Sequence, residues 1–126
     1  MKWINPDLQD LVLDGLAGAT GCTVCTASLS TPPTYAQASD SCALTDVITL
    51  SPSDFTTSDG AVSGRKLTIG EKVDQTVSAS GTATHVCLLD TANSKVLYVV
   101  PITAQPLVSG NTVTIPTWNI ELRDPA

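Results

Sequence analysis

The sequence of residues 81–103 is GTATHVCLLDTANSKVLYVVPIT. It contains two apolar runs, His85–Leu89 and Val96–Val100, which are rich in the β-branched and aromatic residues typical of strands. Between them lies the polar segment Asp90–Lys95, whose residues favour turns. The pattern predicts a β-hairpin. Neither run alternates between polar and apolar residues, so we expect both to be central strands that are covered on both faces.

Length and charge restrict the class of protein. The chain has 126 residues, which suits one domain with one core. Its formal net charge is −6 at pH 7, and its six basic residues form no cluster longer than Arg65-Lys66. Because binding to a phosphate backbone needs clustered cations, we expect no nucleic-acid partner.

No run has the length of a transmembrane helix and no signal-peptide pattern is visible. We therefore expect no membrane association, and folding in a cytoplasm where thiols stay reduced.

Residues 5–17 have the pattern of a short helix. Asn5 followed by Pro6 is a favourable start, and Gly18 marks the end. An apolar stripe at spacings of three and four residues consists of Leu8, Leu11, Val12 and Leu16, and the residues expected to face water are Asp7, Asp10 and Asp14. So short a helix is unstable alone in water. We expect the stripe to dock on the β core or on a neighbouring chain, with Trp3 anchoring the start.

Residues 21–123 are expected to form a β-sandwich or a jelly-roll-like arrangement, so that the chain is one mainly β domain of residues 1–126 with one N-terminal α-helix. Besides the hairpin, the predicted strands are Gly21–Ala27, Ala43–Leu50, a short piece from Phe55, Ala61–Ile69, Lys72–Ala79, and Thr112–Leu122 with an interruption near Pro116. We count seven or eight strands. Ser28–Ser41 is rich in serine, threonine and proline and has no periodicity, which predicts a long surface loop.

The cysteines invite a redox or a metal interpretation. A thioredoxin-type Cys22-x-x-Cys25 motif would need a helix N-terminus, whereas these two residues lie in a predicted strand and should point to opposite faces. A zinc site could use four ligands drawn from Cys22, Cys25, Cys42, Cys87 and His85. Because the chain has a single Cys-x-x-Cys pair, we instead expect buried free thiols, no metal and no cofactor.

No pattern in the sequence predicts catalysis. His85 shares a strand face with Cys87, but side chains two residues apart on a strand diverge, so we expect a structural histidine rather than a Cys–His nucleophilic pair. Four acidic residues beside predicted turns have no EF-hand spacing: Asp54, Asp59, Asp74 and Asp90. We interpret them as turn formers rather than calcium ligands. We expect no catalytic residues, and hence a protein that is not an enzyme.

Four segments carry a resemblance to a known family. They are WINPDLQDLVLD (3–14), DGAVSGRKLTI (59–69), SGTATHV (80–86) and WNIELRDP (118–125). In these segments the chain resembles a family of small tailed-bacteriophage proteins, which are products of virion structural modules that decorate capsids or build fibres and connectors. The chain departs from the family's pattern in its cysteines and in the loop Thr31–Ser41.

The resemblance implies a non-enzymatic virion structural protein. We expect a capsid decoration (cement) protein that binds the assembled head, with the major capsid protein or other virion proteins as partners. It would act in the virion, which assembles in the bacterial host cytoplasm, and symmetry would favour trimers or other rings. The alternatives are a head fibre, tail or head-tail connector subunit, and a secreted adhesin-like or carbohydrate-binding β-sandwich.

Three parts of the chain are candidates for partner binding. The first is the Ser28–Ser41 loop, where prolines lower the ordering cost of binding and a tyrosine offers an aromatic anchor. The others are the predicted helix and the last strand. The candidate residues are Pro32, Pro33, Tyr35, Leu8, Leu11 and Trp118.

Overall fold

The predicted hairpin is present in the computed structural model, which describes residues 3–123. Its strands are β6 (Gly81–Asp90) and β7 (Lys95–Leu107), paired antiparallel with Val86 opposite Val100. The turn between them is held by Asp90, whose carboxylate accepts hydrogen bonds from the Asn93 backbone N–H (3.3 Å) and side-chain amide (2.8 Å). The prediction of a hairpin at this place is confirmed.

The other elements precede and follow this hairpin. Residues 3–123 contain one α-helix, α1 (Pro6–Ala17), at the N-terminal end. The remaining strands are β1 (Gly21–Cys25), β2 (Ile48–Thr49), β3 (Phe55–Asp59), β4 (Arg65–Ile69), β5 (Lys72–Thr76), β8 (Thr112–Ile115) and β9 (Trp118–Leu122). The described chain is therefore mainly β with one short helix, as predicted.

The nine strands of the described residues form three antiparallel sheets. Their strand orders are β2-β1-β6-β7, β3-β4-β9 and β5-β8. The main core is sandwich-like, because it contains side chains from the four-stranded sheet, such as Leu88, together with Leu67 and Ile120 of the second sheet and Ile115 of the third. Burial of these side chains is the main favourable contribution to folding.

The four-stranded sheet has a second, smaller core on its other face. Successive residues of a strand point to opposite faces, so Cys22 enters the main core while Cys25 enters the second one. The second core also contains Cys87 and Leu89 of β6, and it is covered by Ala38, which is fully buried. β1 is accordingly buried at every position, and β6 is a central strand as predicted.

β7 differs from the prediction, because it lies at an edge of the sheet rather than in the centre. Residues 101–106 are exposed. Both prolines of the strand, Pro101 and Pro106, lie in this part. Since proline has no N–H for a ladder hydrogen bond, it is tolerated on edge strands and excluded from central ones. Apolar composition alone did not separate the two hairpin strands.

Other strand boundaries also changed. In the segment 43–50 only Ile48–Thr49 pairs as a strand, while Ala43 and Thr45 form isolated bridges. The interruption at Pro116 is confirmed, and its two flanking strands belong to different sheets, since β8 pairs with β5 and β9 with β4. The proline therefore marks the point where the chain crosses from one sheet to another.

Helix α1 begins as predicted but docks through a different face. Asn5 caps it by accepting a hydrogen bond from the Asp7 backbone N–H (2.8 Å). The buried side chains are Gln9 and Leu13, which are both fully buried, and Leu16 packs on the core beside them. Of the stripe expected to dock, Leu16 does pack on the core, whereas the other three residues are exposed, by 51% at Leu8, 67% at Leu11 and 50% at Val12. Trp3 is 65% exposed, so it does not anchor the helix.

Candidate functional site

A group of exposed apolar side chains lies on α1. We call it the outer face of α1 and define it by Leu8, Leu11, Val12 and Gly15, which follow one another at the three- and four-residue spacings of helix neighbours. The three side chains are each half exposed or more. Single exposed apolar residues are ordinary on proteins, but a contiguous group of them indicates a binding surface.

Polar contacts hold α1 in this orientation. Arg65, the first residue of β4, donates a hydrogen bond through Nε to Asp10 Oδ1 (2.8 Å) and another through Nη1 to Asp59 Oδ1 (2.7 Å). These bonds, with Asp10 contributing most, raise the pKa of Arg65. On the buried side, Gln9 Nε2 donates to the Leu122 carbonyl oxygen (3.1 Å). The helix is thus attached at both flanks to the β3-β4-β9 sheet, and its outer face remains exposed.

A glycine makes this close contact possible. Gly64 has a φ of 69°, and a Cβ atom there would collide with the Leu122 carbonyl oxygen and lie 2.8 Å from Gln9 Nε2. Glycine adopts a positive φ without strain and has no Cβ atom to collide with this carbonyl oxygen. The sequence segment 59–69 therefore supplies both the turn and the cation against which α1 is fixed.

The outer face has an acidic border. Asp7 and Asp14 are exposed and lie seven residues apart, so they share one edge of the helix, and both neighbour Leu11. Asp10 is paired with Arg65. Within α1, all of whose residues are described, the last turn contains no basic residue. The border is thus negative, and the negative end of the helix dipole adds to it.

The Ser28–Ser41 segment is structured, not a free loop. The Gln37 side-chain oxygen accepts hydrogen bonds from Ser30 N (3.1 Å), Ser30 Oγ (2.8 Å) and Thr34 N (3.2 Å), and a turn of π-helix follows at Gln37–Ser41. Tyr35 is half-buried against the second core. Apart from Ala38 the residues of this segment are exposed or half-buried, as expected of a surface segment with few core residues, but its second half is helical and Ala38 closes the second core.

The candidate binding residues do not form one surface. Leu8 and Leu11 lie together on α1, whose Leu13 packs into the main core. Pro33 and Tyr35 are half-buried and Pro32 is exposed, on the segment that covers the opposite face of the four-stranded sheet. Trp118 is separate from both sets, as described next.

Trp118 lies beside an apolar cavity near the free edge of β7. Its ring is half-buried, and its centroid is 6.4 Å from that of Tyr98 with the planes tilted by 33°. The cavity has a volume of about 230 Å³ and is lined mainly by Val86, Val100, Ile102, Ile115 and Trp118. Trp118 therefore contributes to the wall of the core more than to an exposed contact surface.

The thiols are placed as buried structural groups. All four cysteines, Cys22, Cys25, Cys42 and Cys87, are free and buried. Burial raises the pKa of Cys22 to about 12. Cys87 Sγ lies 3.7 Å from Cys25 Sγ, and its hydrogen bond to Cys25, together with burial, raises the pKa of Cys87. Because a thiolate is the reactive form, these raised values disfavour nucleophilic chemistry at Cys22 and Cys87.

The other titratable candidates have structural partners. His85 Nδ1 is 2.8 Å from Thr84 Oγ1 and lies beside the segment 29–33. Asp54 accepts a hydrogen bond from the Ser51 N–H (2.8 Å) and pairs with Lys72 (3.0 Å), and these contacts lower the pKa of Asp54, the Ser51 bond most. Within residues 3–123 no group of three or more His, Cys, Asp or Glu side chains is arranged to hold a metal ion. No helix in that range is long and apolar enough to cross a membrane.

Sequence reasoning found three of the four residues of the outer face. It identified Leu8, Leu11 and Val12 and expected them to dock either on the β core or on a neighbouring chain. Their exposure contradicts the first alternative, and the second stays a prediction. The docked side consists of Gln9, Leu13 and Leu16. Of these, Leu16 belonged to the expected stripe, whereas Gln9 and Leu13 were overlooked because the stripe they form begins with a polar residue. A search for a stripe that begins with a polar residue could have identified Gln9 and Leu13 as the docked residues. It could also have shown that Gly15 is exposed.

Comparison with known proteins adds no relative: no protein-family model, curated protein or solved structure matches the chain. The resemblance in the four sequence segments quoted above stays a prediction.

Proposed function

We propose that this chain is a non-enzymatic structural protein of a tailed-bacteriophage virion, and that it binds the assembled head as a capsid decoration protein. The observation that carries the proposal is the outer face of α1, where Leu8, Leu11 and Val12 are exposed on a helix fixed from behind by Arg65 and Leu13. A surface of this kind supports binding to another protein.

The rest of the described chain fits a binding module better than an enzyme. The pKa is raised at Cys22 and Cys87, whereas the hydrogen bond from Cys87 lowers the pKa of Cys25; all three thiols are buried, which keeps them from solvent and substrate. The carboxylates of Asp54 and Asp90 are engaged in turn contacts. Cementing a shell requires shape-specific contacts at capsomer junctions instead of a reaction centre. The proposed partner is the major capsid protein, with the chain itself assembled as a trimer or another ring through a different surface.

The proposal is tested by following the protein during purification of phage particles from infected bacteria. A decoration protein should copurify with intact heads in numbers comparable with the major capsid protein. A fibre, tail or connector subunit, which is the alternative within the virion, should be present in few copies per particle. Absence of the protein from purified particles would contradict both.

A carbohydrate-binding β-sandwich is the alternative outside the virion. Such proteins stack sugars on exposed aromatic rings. The best-placed pair here is Tyr98 and Trp118, but the two rings are tilted by 33° and Trp118 packs on the core, which offers no flat platform. We therefore favour the virion proposal.

A further inference from the structure

We propose that the outer face of α1 binds an apolar groove bordered by basic side chains on the capsid shell, and that this part of the helix is adapted to binding at the expense of the stability of the free protein. The inference rests on the proposed function and names the surface and the chemistry of its partner. Three features of the same helix face support it, and each would be unfavourable in a helix that only faced water.

The first feature is the exposed apolar stripe. Leu8, Leu11 and Val12 have the spacing with which amphipathic helices insert into apolar grooves. None of the three is needed to attach α1 to its own domain, because Gln9 and Leu13 are the fully buried residues of the helix. The exposed stripe therefore remains available for a partner.

The second feature is Gly15, which continues the stripe four residues after Leu11 and lies inside the helix. Alanine stabilises interior helix positions relative to glycine. A Cβ atom added at Gly15 would have no neighbour within 4 Å, so nothing in the described chain requires a glycine here. Glycine is useful where another backbone approaches closely. At this place that backbone would belong to the partner.

The third feature is the charge at the end of the helix. Asp14 lies in the last turn, where the helix dipole is negative and a cation would be the favourable choice. Asp7 extends the same edge, while Asp10 is already paired with Arg65. Lysine or arginine side chains bordering the partner's groove would pair with Asp7 and Asp14. Two copies of the outer face would instead bring these carboxylates together, which disfavours self-association through it. Lys2 lies outside the described residues.

The test uses purified capsids of the phage that encodes the chain, prepared without this protein, and the full chain in wild-type and variant forms. Binding is measured by cosedimentation at low and at high salt, and the melting temperature of each free protein is measured alongside. Val12→Gln has a matched control in Val73→Gln, because the two valines are similarly exposed, by 50% and 53%, and Val73 lies on β5. Asp14→Asn is matched by Asp46→Asn, which is exposed outside α1.

We expect Gly15→Ala to raise the melting temperature by about 3 °C and to weaken capsid binding about tenfold, because the added methyl group prevents close approach. Val12→Gln should weaken binding by a similar factor, and Val73→Gln should not. Asp14→Asn should bind more weakly at low salt and depend less on salt than the wild type, whereas Asp46→Asn should behave like the wild type.

The outcomes separate the two proposals. If the wild type does not bind capsids, the proposed function fails and this inference fails with it. If the wild type binds and Gly15→Ala, Val12→Gln and Asp14→Asn bind equally well, only this inference is overturned. Sedimentation showing that the wild type self-associates and that Val12→Gln is monomeric would also overturn it, since the occupant would then be a second copy.

Discussion

Replacing Leu13 and Leu11 by alanine in separate variants tests how α1 is docked. Leu13 is fully buried in the main core, whereas Leu11 is 67% exposed on the same helix. The two substitutions are chemically identical, and both positions are inside the helix, so their effects on helix propensity nearly cancel. The difference between the two variants therefore measures burial at the two faces.

The magnitude follows from the groups removed. Leucine loses three carbon groups on mutation to alanine, and at about 0.8 kcal/mol each the transfer loss at Leu13 is about 2.4 kcal/mol. An incompletely collapsed cavity adds to this, within the range of about 2–5 kcal/mol for buried leucines. Because α1 lies at the periphery, where neighbours can move inward, we expect a loss of about 3 kcal/mol. Leu11→Ala should change stability by no more than about 0.5 kcal/mol.

Urea unfolding followed by circular dichroism gives both free energies, and thermal melts check them. For a chain of this size a loss of 3 kcal/mol corresponds to a fall of about 10 °C in melting temperature. Equal destabilisation by the two variants would refute the docking described here and would restore Leu8, Leu11 and Val12 as the buried stripe.

Three further predictions concern other parts of the chain. The depressed pKa of Asp54 contributes stability above the unfolded-state pKa, near 4, and this stability is lost as the pH falls through the lower folded-state value. Asp54→Asn should thus be less stable than the wild type at neutral pH, and its melting temperature should fall less than that of the wild type between pH 5 and pH 2. Thermal melts across that pH range measure this, and an equal fall in both proteins would contradict it. Because all four cysteines are buried, they should react slowly with Ellman's reagent at pH 8 in the native protein, whereas all four thiols should react in denaturant. Rapid reaction in the native protein would contradict this. Metal analysis of the purified protein should find no bound zinc. Deleting residues 31–39 should lower the melting temperature, because Tyr35 and Ala38 cover the second core, whereas Pro32→Ala should leave it nearly unchanged; an equally stable deletion variant would show that the segment is only a spacer.

Much of the fold follows from local sequence patterns. The hairpin is encoded by two apolar runs around a turn, and the helix start by Asn5-Pro6. The alternation of strand side chains placed Cys22 and Cys25 on opposite faces without knowledge of the sheets. These features depend on neighbours in the chain, so sequence alone could predict them.

The remaining features depend on contacts between distant residues. Gln9 is buried because the Leu122 carbonyl oxygen, 113 residues away in the chain, accepts its hydrogen bond. This contact and the ion pair of Arg65 determine which side of α1 docks. The periodicity within residues 5–17 does not, because the docked stripe and the exposed stripe have the same spacing. In the same way, Ser28–Ser41 has no pattern of its own, and Ala38 is buried only because β1 and β6 leave a face that it can cover.

The most direct test of the central claim is a cryo-electron microscopy reconstruction of capsids decorated with the wild-type chain. We expect α1 to lie between the β domain and the shell, with Leu8, Leu11 and Val12 in an apolar groove and basic side chains of the capsid protein beside Asp7 and Asp14. A reconstruction in which the chain is bound but the outer face of α1 points into solvent would contradict it.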